Sequence, residues 1–144
     1  MITDKFLRVS DAQALTTTAV STDKVDLSQA RDIGEGEDLF AVFTVGTAFA
    51  GGTSVNMAMV VADDAALTTN VTTIAMTGVV ATAGLTAGAQ FTVRLNPLIG
   101  SLGRRYLGAS YTIVGTYTAG TVTADIVHDI QDGKKFYASG FTVA

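Results

Sequence analysis

Hydrophobic and polar residues alternate along much of the chain. In "TSVNMAMVVAD", Val55, Met57, Met59 and Val61 fall on one face, and Ser54, Asn56 and Ala58 on the other. In "QFTVRLN", Phe91, Val93 and Leu95 alternate with Gln90, Thr92 and Arg94. In "RYLGASYTIV", Leu107, Ala109, Tyr111 and Ile113 share a face, and in "TVTADIVHDI" Val122, Ala124, Ile126, His128 and Ile130 do. Successive side chains of a strand point to opposite sides, so a period of two predicts strands with one buried face. The wealth of Thr, Val and Ile agrees, because branched side chains fit a pleated surface.

Glycine marks the turns. "VGTAFAGGTS" reads as a hairpin turn between a strand around Leu39–Val45 and one around Thr53–Ala62. "TAGLTAGAQ" leads into the Gln90 strand, and "YTAGT" joins two strong strands with Gly120 suited to a positive φ. Asn96-Pro97 ends the Gln90 strand, because proline cannot donate to a ladder. "LIGSLG" then reads as a flexible loop, and strand pattern resumes from Arg105. "DDAALTTN" predicts one helical turn capped by Asp63. The opening "TDKFLRVSDAQAL" fits a short helix or an extended arm. About eight strands result, at a spacing typical of sandwiches and barrels. The lack of a long amphipathic helix argues against a parallel α/β sheet. The expected fold class is all-β: an antiparallel β-sandwich of jelly-roll type, with an Ig-like sandwich or a small barrel as alternatives. Residues 1–144 are expected to form a single domain, with N-terminal (1–14) and C-terminal (133–144) arms.

Composition narrows the classes. The chain has no cysteine, which removes disulfides, thiolate metal sites and cysteine nucleophiles. Charged residues are 15%, well below the usual quarter or so, which suggests that a partner covers part of the surface. No apolar run approaches the roughly 18 residues of a membrane helix, and the start has no signal-peptide core, so a soluble protein without a membrane partner is expected. A net charge of −4 disfavours a nucleic-acid partner, since affinity for phosphates comes mainly from Lys and Arg. Between Leu39 and Val93 only Asp63 and Asp64 are charged.

The chemical motifs are thin. "GTAFAGGT" imitates a phosphate-binding P-loop, but Gly52 stands where the lysine belongs and a strand follows where a helix should. His128 is the only histidine; without a Gly-x-Ser-x-Gly elbow it reads as a histidine held at a sheet edge. Asp32, Glu35, Glu37 and Asp38 surround a glycine turn, yet their spacing is not that of a calcium loop, and a solvated acidic loop fits better. Tyr106, Tyr111, Tyr117, Phe136 and Tyr137 could form a sugar platform; core or interface use fits better, since tryptophan is absent. Gly-x-x-Gly beside Arg104 and Arg105 resembles a nucleic-acid clamp, but such a clamp lies between helices and this one precedes a strand. No catalytic residue, metal or cofactor is expected.

Basic and aromatic residues gather instead at the chain ends, in "DKFLRV" and "GKKFYASGFTVA". Apolar anchors beside charges suit contact with a neighbouring subunit; folded-back edge strands are the plain alternative. The candidate interface residues are Phe6, Arg8, Arg104, Arg105, Lys134, Lys135, Phe136 and Tyr137. Arg104 and Arg105 are expected to meet an acidic patch, either the chain's own Asp32–Asp38 loop or a partner.

The stretch "RRYLGASYTIVGTYTAGTVTADIVHDIQDGKKF", Arg104 to Phe136, resembles the C-terminal half of the capsid cement (decoration) proteins of tailed bacteriophages. The blocks "MITDKFLRVSDAQALT" and "STDKVDLSQARDIGEGEDL" are similar to that family's N-terminal half. The resemblance implies a jelly roll without catalysis that sits on the outer capsid surface of the virion. It implies a major capsid protein as partner, and self-association as a homodimer or other homo-oligomer. The chain ends and the loops of one face would touch the capsid. A receptor- or carbohydrate-binding virion module is the second reading.

Overall fold

In the computed structural model, which describes residues 3–28, 38–95, 99–128 and 130, the alternating segments form nine antiparallel strands. They are β1 (Arg8–Ala14), β2 (Ala19–Val20), β3 (Val25–Asp26), β4 (Leu39–Val45), β5 (Ser54–Ala62), β6 (Thr72–Ala81), β7 (Gln90–Arg94), β8 (Tyr106–Val114) and β9 (Thr121–His128). Among the described residues the helical pieces are 3-10 turns, at Lys5–Leu7, Thr82–Gly84 and Ile99–Leu102. None of them is long and apolar enough to cross a membrane.

The strands form two sheets. One has the order β1-β9-β4-β7; the other runs β2-β8-β5-β6, with β3 also paired to β8. Because β2 and β3 share one partner, they act as a single interrupted strand. The chain then changes sheet at every connection except the β5–β6 hairpin and the β2–β3 link. This is the winding of a jelly roll, a sandwich built from two Greek keys. The Ig-like and small-barrel alternatives fall away.

The core lies between the sheets. Val55, Met57, Met59 and Val61 are fully buried there, as their alternation predicts, facing Ala41, Phe43 and Val45 of β4. Tyr111 lies among them with its ring edge-on to Phe43, centroids 6.2 Å apart. Its hydroxyl shares a 2.7 Å hydrogen bond with Ser10, and Ser10 donates to Gln13 Oε1 at 2.8 Å. A buried phenol is tolerated because this oxygen has a partner. Burial pushes its pKa above the ordinary value.

Several connections differ from the sequence expectation. The 46–53 segment does not close a hairpin: β4 and β5 lie in different sheets. The same holds for "YTAGT", since β8 and β9 are also in different sheets. These two crossings meet at one end of the sandwich. Ala50 donates to Ala119 O at 3.0 Å, and Thr118 donates back to Ala50 O at 2.8 Å. Phe49 and Tyr117 close the core there, edge to face with centroids 4.9 Å apart. Gly120 does adopt a positive φ, 146°, and any Cβ on it would strike the Phe49 ring.

"DDAALTTN" is a turn, not a helix. Asp64, rather than Asp63, organises it by accepting from the Thr68 and Thr69 amides and the Thr68 hydroxyl. The described part of "LIGSLG", residues 99–103, is no slack loop either, for Ile99 enters the core from a 3-10 turn. The opening segment is neither a longer helix nor a free arm over its second half: after one 3-10 turn, Arg8–Ala14 forms β1 on the edge of its own sheet, paired with β9. The 133–144 arm lies outside the described residues.

Candidate functional site

One end of the sandwich collects most of the described charge. There the chain enters β1, passes through residues 21–26, and starts β8. Asp4 caps the first 3-10 turn by accepting from the Phe6 amide at 2.9 Å. That turn projects Phe6, which remains 75% exposed. Arg8 then opens β1 directly across from Asp125 of β9. Its Nε donates to Asp125 at 2.8 Å and its NH1 to Asp11 at 3.1 Å. Asp125 is buried, so this pair fixes an edge strand whose ladder is otherwise interrupted by two irregularities. The hydrogen bond to Asp125, more than anything else, raises the Arg8 pKa.

Residues 21–26 run beside this entry. Ser21 donates to the Asp23 carbonyl and the Asp23 amide to the Val9 carbonyl, which fold Asp23 and Lys24 over the start of β1. Lys5, Phe6, Arg8, Asp23 and Lys24 thus line a cleft of about 460 Å³. Immediately after, Val25 and Asp26 pair with Leu107 and Tyr106 of β8.

The two adjacent arginines precede β8. Arg105 grips Asp26 with two hydrogen bonds, Nε to Oδ1 at 3.1 Å and NH2 to Oδ2 at 3.0 Å. Its guanidinium carbon also lies 5.0 Å from the centre of the Tyr106 ring. The Arg105 guanidinium, helped by Ser28, holds the Asp26 carboxyl well below the usual carboxylate range. Arg104 points the other way and places NH1 3.0 Å from both oxygens of Asp63. Asn70 and Arg104 together depress the Asp63 pKa. The partners of both arginines are therefore within the chain. Among the described residues they are Asp63 and Asp26; of the acidic loop proposed from sequence, Asp32, Glu35 and Glu37 lie outside the described residues, and Asp38 binds Arg94, at 2.6 Å.

The sequence-derived interface residues thus divide. Phe6 and Arg8 come together in the cleft, Arg104 and Arg105 lie at a neighbouring β8 entry, and Lys134, Lys135, Phe136 and Tyr137 lie outside the described residues. Lys24 and Asp23 were not singled out by sequence reasoning. Their only signal is their place in a charged stretch before a short strand. His128 keeps the parity of Ile126 opposite Leu39, but it stands exposed because β9 ends there. Tyr111 and Tyr117 belong to the core, as the reading against a sugar platform requires.

Residues 9–126 match the Bbp16 family. The chain belongs to the Bbp16 family. The matched region starts within β1 and ends within β9, so the family covers the jelly roll from first strand to last. Arg104, Arg105, Asp23 and Lys24 fall inside the Bbp16 region, whereas Lys5, Phe6 and Arg8 precede it. A search among curated proteins found no match.

Proposed function

We propose that this Bbp16-family chain is a structural virion protein that binds the outer surface of a phage capsid and cements neighbouring major capsid protein subunits. The observation that carries the reading is the charged end of the sandwich, where an exposed aromatic residue and a basic cleft sit on a rigid jelly roll. Contact surfaces gain from such anchors because aromatic rings bury area at low entropic cost, and flanking charges set register. The block resemblance of Arg104–Phe136 and of the N-terminal segment supports the same reading. So does the sparse charge elsewhere. The protein acts by binding, without catalysis, metal, cofactor, nucleic acid or membrane.

Self-association as a homodimer or other homo-oligomer is part of the reading. It is supported by the edge strand β6, whose Met76 and Val79 stand 55% and 77% exposed in an uncharged stretch. Two linked copies engage a shell by avidity, so each contact needs only modest affinity. The carbohydrate reading loses ground because Tyr111 and Tyr117 are buried and Tyr106 lies beside Arg105.

The test is made on particles. The protein is expected on the outside of the purified shell, at a fixed ratio to the major capsid protein. Particles lacking it should break at lower temperature or in chelator. Absence from virions together with unchanged shell stability would overturn the reading.

A further inference from the structure

The described cations fall into two kinds. Every described arginine has an aspartate within the chain: Arg8 with Asp125 and Asp11, Arg94 with Asp38, Arg104 with Asp63, Arg105 with Asp26. The described lysines, Lys5 and Lys24, form no ion pair with any described residue. Lys24 donates only to the Thr22 carbonyl, at 3.2 Å. Both lysines line the same cleft as Phe6. Among the described residues the lining holds Lys5, Arg8 and Lys24 against one carboxylate, Asp23, in a chain whose net charge is −4. Arg8 is engaged by Asp125 and Asp11, so what the cleft offers is two lysines without an ion pair among the described residues, with an exposed aromatic ring beside them.

We infer that this cleft seats an acidic segment of a protein partner, with a carboxylate on Lys5 and Lys24 and an adjoining apolar side chain on Phe6. The inference rests on the shell-binding reading and names the chemistry of that contact. A protein carboxylate fits better than a phosphate group for three reasons. Arg8, the lining group suited to bidentate phosphate contact, is already held by Asp125 and Asp11. The Phe6 and Leu7 amides of the 3-10 turn are taken by Asp4, so they offer no row of donors to a dianion. Asp4 and Asp23 would repel a doubly charged group more than a single carboxylate, and a polyanion would also meet the net negative charge of the whole chain.

The test uses the full chain and two probes. The first is a capped peptide of alternating Glu and Leu, with the Gln-for-Glu peptide as control. Saturable binding at low salt is expected, with amide shifts at Lys5, Phe6 and Lys24. It should weaken as ionic strength rises and be lost near pH 4, where glutamate protonates. The Lys5→Gln/Lys24→Gln double variant should bind about tenfold more weakly or worse, while Arg94→Gln binds as wild type. Equal binding of the Gln peptide, an unaffected double variant, or stronger binding of inorganic phosphate or a DNA oligonucleotide would overturn the inference. The second probe is the phage shell. Loss of the double variant from particles that bind wild type supports the inference. Full occupancy by that variant overturns it and leaves the cement reading standing. A wild-type chain that binds the acidic peptide but no shell overturns the cement reading and leaves the cleft assignment standing.

Discussion

At the scale of single residues, two aspartates side by side do different work, and the difference is measurable. Asp63 is committed to Arg104 and Asn70 across the fold. Asp64 is committed to its own turn, where the Thr69 amide and the Thr68 hydroxyl and amide bring its pKa down to about 2 from an ordinary 3.8. A carboxyl whose folded pKa is depressed stabilises the fold above its unfolded pKa and loses that contribution as pH falls through the folded one. Asp64→Ala should therefore melt below wild type at neutral pH. The gap between the two should close as pH falls from near 4 towards 2, read by thermal melts across that range. The buried hydroxyl of Tyr111 gives a second expectation. Tyr111→Phe keeps the ring against Phe43 and leaves Ser10 its bond to Gln13, so it should cost only about 1 kcal/mol. A shifted denaturant midpoint with an unchanged slope would report it. Sequence showed Asp63 and Asp64 as a charged pair in a neutral region. It did not show which one caps the turn, because that depends on the chain direction after the pair and on an arginine about forty positions away.

At the scale of elements, the period-two signal read the inward faces of β5, β7 and β8 directly. It failed along β6, for a local reason. Between the Asn56–Val79 and Ala58–Met76 pairs, β6 has two residues against one on β5, with Gly78 at a φ of 76°. A second irregularity follows, where Ile74 is extra between the pairs of Met59 and Val60. Each extra residue flips the parity of the strand, so the exposed positions Thr73, Met76 and Val79 recur every third residue and the alternation dissolves. The bulges also make this edge a poor template for another chain's ladder, which leaves its exposed side chains rather than its backbone for contact. Connections were misread for a different reason. Glycine-rich turns look alike whether they close a hairpin or cross between sheets, and only the pairing of distant strands decides. Gly52 shows what the crossing needs. A Cβ there would lie 2.5 Å from the Tyr117 ring, whose hydroxyl is tied to Thr82 at 2.7 Å and whose face is fixed by Phe49. The ring cannot step aside, so Gly52→Ala should destabilise by about 1–3 kcal/mol, as overpacking does. Gly84→Ala is the control, because its Cβ would meet only the Val80 side chain, at 3.3 Å. Near-equal stability of the two variants in denaturant titrations would contradict this account of the crossing.

At the scale of the whole molecule, charge is sorted by use. Arginines tie elements of the chain to one another: Arg8 joins β1 to β9, Arg105 joins the approach to β8 to β3, and Arg104 joins that approach to the turn after β5. Sequence placed a basic pair beside β8 and correctly asked for its carboxylates. It could not find them, because Asp26 and Asp63 come close only once β3 and β5 lie against opposite sides of β8. This sorting yields a prediction that separates tie from contact. Arg104→Glu would set a third carboxylate beside Asp63 and Asp64 and break one partly exposed ion pair. Such pairs contribute little to stability, so the variant should fold with a slightly lowered melting temperature. Because the Arg104 charge is already engaged by Asp63, its reversal should leave the copy number on shells close to wild type, whereas Lys5→Glu should lower it with little change in melting. Copy number is read from purified particles and melting from the free protein, so the two effects are measured apart. If Arg104→Glu instead emptied the shells while the free protein melted as wild type, Arg104 would face the partner and the division between internal arginines and outward lysines would be wrong.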